Sequence, residues 1–376
     1  MPVWIPIAVL TYVKESGDYA VLDTRIGYYD ADVKESVFCH IQRGMDYLYA
    51  NQGEHGLNLW FGGDWNDSMN NCGLQGKGES VWLAIATVKA TLDYLELLKN
   101  CPNIVGATEI IKEITPKMQL LKENIRKYGF EKDHFIYGIN DWGEKVGSYE
   151  NEEGQMYLNP QTWAIMAGIL NETESNALME HVEKNLKCDY GYLQNVPSYT
   201  KPDLHLGRIS YFGAGLYENG SVYNHGVMFK LVADCMLGKG DSAYDTLRLI
   251  AYDNPANADS GVEPYAVSNM YFGPSAFARK GFAPCSWVTG SAGWLYRALT
   301  EYILGVQADF DGLKLCPCIP SGWENAKIER TFRGVKYLIE IRRGNKSGTF
   351  VDGVKIEGNK IPLFDKGTTH KVEYWC

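Results

Sequence analysis

The feature that most constrains this chain is a change of hydrophobic period near residue 305. From Trp4 to about Thr300 apolar residues recur at helical spacing, in segments of about 10–24 residues separated by Gly, Pro and Asn clusters. Beyond that point short runs alternate in period two: Leu313–Leu315, Lys327–Phe332, Val335–Arg342 and Val354–Ile356, broken by turns such as Asp352-Gly353 and Glu357-Gly358-Asn359. The expectation is a helical domain over residues 1–305 and a small antiparallel β domain over residues 306–376. About nine helical segments are predicted, starting near Pro6, Asp32, Gly78, Val105, Pro160, Glu172, Ser221, Ser242 and Ser286. The loops between them, notably 53–77, 132–159, 189–220 and 253–285, are long and rich in Gly, Asn and aromatics, where sites are usually built.

Composition narrows the function. Acidic residues outnumber Lys plus Arg by 46 to 36, for a net charge of -10, which argues against nucleic acid as a partner. The 13% aromatic content suits a sugar or polyol cleft, although aromatics also build cores. The nine cysteines are scattered, with no CxxC pair and no His at zinc spacing, so reduced thiols in a cytoplasmic protein are expected and no metal site. No apolar run approaches the ~18 residues of a membrane span, and the N-terminal stretch lacks a basic region or cleavage site.

Three clusters carry chemistry. In Gly63-Asp64-Trp65-Asn66-Asp67, two carboxylates three residues apart follow a glycine pair. One can stay protonated because a neighbouring negative charge raises a carboxyl pKa, and a protonated carboxyl is what a glycosidic leaving oxygen needs. An Asx-rich turn capping the helix near Glu79 explains the same residues, and a calcium loop fits poorly, with Met69 and Gln75 where Gly and Glu belong. In Glu218-Asn219-Gly220 through His225, an imidazole lies near a helix start and could donate to an anion; a satisfied core histidine is the alternative. In Thr289-Gly290-Ser291-Ala292-Gly293, small residues opening a helix could cradle a phosphate or simply allow close packing. This is not a Walker loop.

In order along the chain, Gly63-Asp-Trp-Asn-Asp67, Gly78-Glu-Ser-Val-Trp82, Glu218-Asn-Gly with His225, Glu263-Pro-Tyr265, Trp287-Val-Thr-Gly-Ser-Ala-Gly-Trp294 and Pro317-Cys-Ile-Pro320 resemble the cellobiose and chitobiose phosphorylases of glycoside hydrolase family 94. The resemblance covers essentially the whole chain. It implies an (α/α)6-barrel-like helical toroid and inverting phosphorolysis of a β-linked gluco-disaccharide or oligosaccharide to an α-sugar 1-phosphate. It implies Asp67 as general acid; Trp65, Asp64, Glu218 and Asn269 at the sugar; and His225, Thr289 and Gly290 at the phosphate. Inorganic phosphate is then a co-substrate and no cofactor is needed. Two departures bear on sugar choice: Tyr217 stands where several cellobiose phosphorylases have Lys, and Asn269 where they have Gln.

Family members are about twice this length, and their upstream part supplies an Arg and an Asp to the sugar and an Arg to the phosphate. The toroid is therefore expected to be incomplete, with a homodimer or an N-terminal partner chain completing it. Two rival readings remain: an inverting hydrolase with Glu218 or Glu263 as base, and an inactive carbohydrate-binding subunit.

Overall fold

The computed structural model describes residues 1–287 and 289–376; Val288, inside the Trp287–Trp294 motif, lies outside the described residues. The chain is mainly helical, with several small sheets. Nine α-helices occur among the described residues: α1 Trp4–Ser16, α2 Val37–Ala50, α3 Val81–Asn100, α4 Ala107–Asn124, α5 Leu158–Met166, α6 Glu172–Leu186, α7 Asn224–Met236, α8 Gly240–Ile250 and α9 Ser291–Arg297.

The helices divide by burial. Fifteen of the twenty residues of α3 are buried, as is every residue of α5 and all of α7 from Gly226 to Asp234. A helix that is apolar or enclosed all round belongs to an interior. By contrast α4, α6 and α8 bury one face each, at Ile114, Met118 and Leu121, at Leu178, Met179 and Val182, and at Ala243, Thr246 and Ile250. The contacts follow the same logic: α1 meets α3, α3 meets α5, α5 meets α7 and α7 meets α9, while α4 backs α3, α6 backs α5 and α8 backs α7. From α3 to α8, enclosed and half-exposed helices thus alternate along the sequence. At the centre Trp163 meets Trp4, Trp82 and Phe229 edge-on at 5.3–5.6 Å between ring centroids. Truncating either fully buried indole, Trp82 or Trp163, to Ala costs about 3–5 kcal/mol.

A buried lysine cross-links three of these helices. Lys230 of α7, fully buried, places Nζ 2.7 Å from Asp234, 2.8 Å from Glu183 of α6, and 2.9–3.0 Å from the hydroxyls of Tyr192, Thr246 and Ser242. The charge is fully hydrogen-bonded, the condition under which a cation is tolerated in an interior.

Three sequence expectations need correction. The helix expected from Asp32 starts at Val37, because residues 25–36 pair as a hairpin, Arg25–Tyr28 against Ala31–Ser36. Ser36, not Asp32, provides the N-cap by accepting from the Cys39 N–H. Glu79 and Ser80 form a short strand between Asn58–Leu59 and Gly138–Ile139, and α3 begins one residue later on the Ser80 cap. The third concerns the C-terminal β region, which is not wholly antiparallel. Its five-stranded sheet runs Asn325–Phe332, Val335–Arg342, Thr369–Trp375, Gly348–Val351, Val354–Ile356, and the second and third strands are parallel. The reason is the detour between them: Lys360–Pro362 leaves to pair with Gly312–Leu315 in a separate three-stranded sheet, and the chain returns alongside its earlier strand.

These strands enclose their own cluster of buried side chains, among them Leu313, Phe332, Tyr337, Ile339, Ile341 and Val372. Arg333 joins this sheet to α1. Its guanidinium donates to the Lys14 carbonyl at 2.6 Å, the Val13 carbonyl at 3.3 Å, the Phe310 carbonyl at 2.9 Å and the Asp309 carbonyl at 3.2 Å. Gly17 ends α1 in the left-handed conformation, and a Cβ there would lie 2.9 Å from the guanidinium carbon. Glycine is required at that contact for both reasons.

Candidate active site

The loop 61–71 is held from beneath by Asp64. Its buried carboxylate accepts from the Asn66 N–H at 2.9 Å, the Tyr137 hydroxyl at 2.8 Å and the Ser80 hydroxyl at 2.6 Å. Burial pushes its pKa up to about 6, against these hydrogen bonds. Asp64, which the resemblance implies at the sugar, is held by these hydrogen bonds in the loop's own framework. The adjacent Glu79 likewise binds structure, taking the His55 ring at 2.5 Å and the Leu57 N–H at 3.1 Å.

With Asp64 as anchor, Asp67 projects outward, its side chain 77% exposed. The loop 203–211 lies beside it: Ile209 N–H donates to the Ser68 carbonyl and Asn71 N–H to the Leu206 carbonyl. Gly207, at φ 104°, permits this approach, since a Cβ would lie 2.6 Å from the Asn70 side-chain oxygen. Arg208 thereby reaches Asp67, donating to its backbone carbonyl at 3.0 Å and lying 3.4 Å from its carboxylate.

Glu218 lies within the field of both Asp67 and Arg208. Burial raises its pKa, and the Asp67 charge adds to the shift, which places the two carboxyl groups in electrostatic reach. The Tyr223 hydroxyl links Glu218 to the Asn269 side chain, and burial raises the Tyr223 pKa. Asn219 beside them is structural: its side chain clips Tyr199 and Phe212 of the neighbouring loop.

Trp65 joins the first cluster to the second. Its ring meets Tyr223, His225 and Phe229 at 5.3–6.0 Å between centroids. His225, the second residue of α7, is largely buried; desolvation lowers its pKa to about 4, so the ring is neutral at pH 7. Its Nε2 is buried and finds no hydrogen-bond partner among the described residues. The third cluster closes over the ring, for a Cβ on Gly290 would lie 3.0 Å from His225 Cε1. Thr289 Oγ1 accepts from the Ser291 N–H at 2.9 Å and shares a hydrogen bond with the Ser291 hydroxyl at 2.6 Å. Glu263, lowered by the Ser286 hydroxyl, lies on the loop before this turn.

Folding thus brings together Asp67, Trp65, Glu218, Asn269, His225 and Gly290 from segments up to 225 residues apart in sequence. Sequence reasoning missed Arg208 and Tyr223. Tyr223 sits within the second cluster and carries a polar handle on an aromatic ring, a usable signal; Arg208 had none beyond its place in a long loop.

The scaffold is helical, and its loops gather carboxyl, imidazole and indole groups at one place. Residues 1–305 match the family model described as Glycosyl hydrolase 94 superfamily, catalytic domain, and the chain belongs to that family. Solabiose phosphorylase of Paenibacillus borealis is 41% identical over 99% of this chain and 49% of its own length. Cellobionic acid phosphorylase of Neurospora crassa is 31% identical, covering 94% of this chain and 45% of its own. For N,N'-diacetylchitobiose phosphorylase of Vibrio proteolyticus the figures are 30%, 98% and 46%. The chain spans about half the length of these curated relatives. Among solved structures, a sialidase aligns with a TM-score of 0.58 at 11% identity, covering 88% of this chain and 28% of its own. A GH78 rhamnosidase of Bacillus sp. GL1 aligns at 0.55 and 15%, covering 99% and 34%. At these identities the likeness is one of fold. No described helix is long and apolar enough to cross a membrane.

Proposed function

We propose that this chain carries the acid and much of the phosphate site of an inverting glycoside phosphorylase acting on a β-linked disaccharide or oligosaccharide. The observation that carries the reading is the buried, unpartnered Nε2 of His225, enclosed by Trp65 and Gly290 on two different loops. A buried polar atom without a partner costs about 1–3 kcal/mol, and an anion's oxygen beside it would remove that cost. A neutral imidazole offers one N–H to such an anion.

In this mechanism Asp67 protonates the leaving oxygen while phosphate, held by His225, Thr289 and Gly290, attacks the anomeric carbon from the opposite face. Phosphate is already anionic, so it needs positioning rather than a second carboxylate as base. Trp65, Glu218 and Asn269 bind the sugar, with Tyr223 orienting the latter two; Asp64 acts through the loop it anchors. Phosphate is a co-substrate and no resident cofactor takes part.

The alternation of enclosed and half-exposed helices supports an (α/α)6 toroid of which nine helices are accounted for, with residues 306–376 as a separate β domain. The remaining sugar and phosphate contacts would come from a second copy or an N-terminal partner chain. Nine cysteines that form no disulfide fit a cytoplasmic protein.

The test is to incubate the protein with β-1,2-, β-1,3- and β-1,4-linked glucose disaccharides and a GlcNAc disaccharide, with and without phosphate, and assay sugar 1-phosphate. Phosphate-dependent product, abolished in Asp67→Asn, is expected. Phosphate-independent release of sugar, lost in Glu218→Gln and kept in His225→Ala, favours the hydrolase instead. No turnover but retained sugar binding, alone or with a partner chain, favours the binding subunit.

A further inference from the structure

The sequence offers no metal motif, yet folding assembles one group of metal-type donors away from the cluster just described. Asp133 and His134 lie on the hairpin that pairs Phe130–Glu131 with His134–Phe135, and His181 reaches it from α6. One donor atom from each of the three falls within 4.8 Å of the others. No other such group of three occurs among the described residues.

The protonation of His134 can be worked out. The ring is fully buried, with Nε2 2.9 Å from the Gly147 carbonyl and 3.1 Å from the Gln155 carbonyl. Carbonyls only accept, so Nε2 carries a proton, and in the neutral ring Nδ1 then presents its lone pair. That lone pair is 3.4 Å from Asp133 Oδ1, and His181 Nε2 is 3.4 Å from the same oxygen. Such separations are long for nitrogen–oxygen hydrogen bonds. They match the edge of a tetrahedron, about 3.3–3.6 Å when metal–donor bonds are about 2.0–2.2 Å.

We propose that Asp133, His134 and His181 form a binding site for one divalent transition ion of the zinc type. The ion would tie the hairpin to α6 and leave a fourth position for water or the Tyr149 hydroxyl. The supporting shell is already built. The backbone carbonyls fix the tautomer of His134, and Tyr149 OH donates to Asp133 Oδ1 at 2.5 Å and lies 3.1 Å from His181 Nε2. The two imidazoles stack at 5.8 Å with 13° between planes. Asp133, half exposed, gives the ion an entry path.

The test titrates chelator-treated protein with Zn2+ by calorimetry and with Co2+ by visible absorption. One equivalent is expected, with the intense bands of tetrahedral cobalt and a raised melting temperature. His181→Ala and Asp133→Asn should each weaken binding by about 100-fold or more, whereas His370→Ala, in the C-terminal sheet, should bind as wild type. Absence of a stoichiometric site overturns the proposal. So does binding that His181→Ala and Asp133→Asn leave unchanged, or cobalt bound with octahedral spectra only. None of these readouts depends on phosphorolysis, so the site stands or falls apart from the catalytic reading.

Discussion

Replacing Gly290 by Ala separates the fold from the anion site. Gly290 has φ -74° and ψ -10°, a conformation any L-residue adopts, so no backbone strain follows. The added methyl would lie 3.0 Å from His225 Cε1, 3.2 Å from Nδ1 and 3.4 Å from Nε2. Carbon atoms settle at about 3.5–4.0 Å, so the imidazole must retreat by about 0.5–1 Å. Phe229 at 4.9 Å and Trp65 at 5.3 Å between centroids limit where it can go. A displacement of about 1 Å in a positioning group costs up to about 100-fold. The expectation is a 10- to 100-fold loss of kcat/KM for phosphate, or about 1.4–2.7 kcal/mol. Sugar KM should stay within about threefold of wild type, because the methyl is aimed at the His225 ring. Stability should fall by no more than about 1 kcal/mol, the difference between Gly and Ala at a helix start. Initial-rate kinetics with phosphate and sugar varied in turn, together with a thermal melt, read all three. Unchanged phosphate kinetics in a folded Gly290→Ala protein would refute the assignment of His225 and Gly290 to the phosphate.

Further outcomes follow from other parts of the molecule. Lys230→Met strands the buried Asp234 without its cation, leaves Glu183 only Lys187 at 3.1 Å, and should destabilise by about 3–5 kcal/mol, measured by denaturant unfolding. His225, with its folded pKa lowered from the usual 6.5 to about 4, opposes folding as pH falls from 6.5 towards 4, because only the unfolded chain takes up the proton there. Its contribution is fully present above pH 6.5 and is lost by at most about 3 kcal/mol near pH 4; an NMR titration should show this ring neutral at pH 6. Tyr223→Phe breaks the link between Glu218 and Asn269 and should raise the sugar KM about tenfold, the worth of one hydrogen bond to a charged group, with phosphate KM unmoved.

What could be read in advance was local. The periodicity of α3 and the capping box of α6, where Asn171 and Glu174 bond reciprocally, announce themselves because cap and helix lie within a few residues. The hairpin at 25–36 did not, since Asp32 and Ser36 are both good caps and only pairing with Arg25–Tyr28 decides between them. The parallel pair of C-terminal strands was hidden for a similar reason: alternation reports which residues face inward, not which neighbour a strand joins. In the site, residue types marked the clusters around Asp67 and His225, and the family resemblance singled those two residues out. The contact of Gly290 with His225, and the commitment of Asp64 to Tyr137 and Ser80, depend on segments 65 and 73 residues apart meeting in space. The Asp133, His134 and His181 group is of the same kind, with no spacing signature because its members come from a hairpin and a distant helix.

The Arg333 contact bears on the order in which the molecule can assemble. The last turn of a helix leaves carbonyls with no partner inside it; in α1 the Gly17 N–H takes the Val13 carbonyl, and the Lys14 carbonyl is met by a side chain more than 300 residues later. On a ribosome α1 emerges well before its partner. The first helix is therefore finished at its C-terminal end only when the sheet has formed and docked, a closure of very long sequence separation that places this joint among the last steps of folding. Heating should open it among the first, with hydrogen exchange at Gly17 and its neighbours rising before exchange in α3.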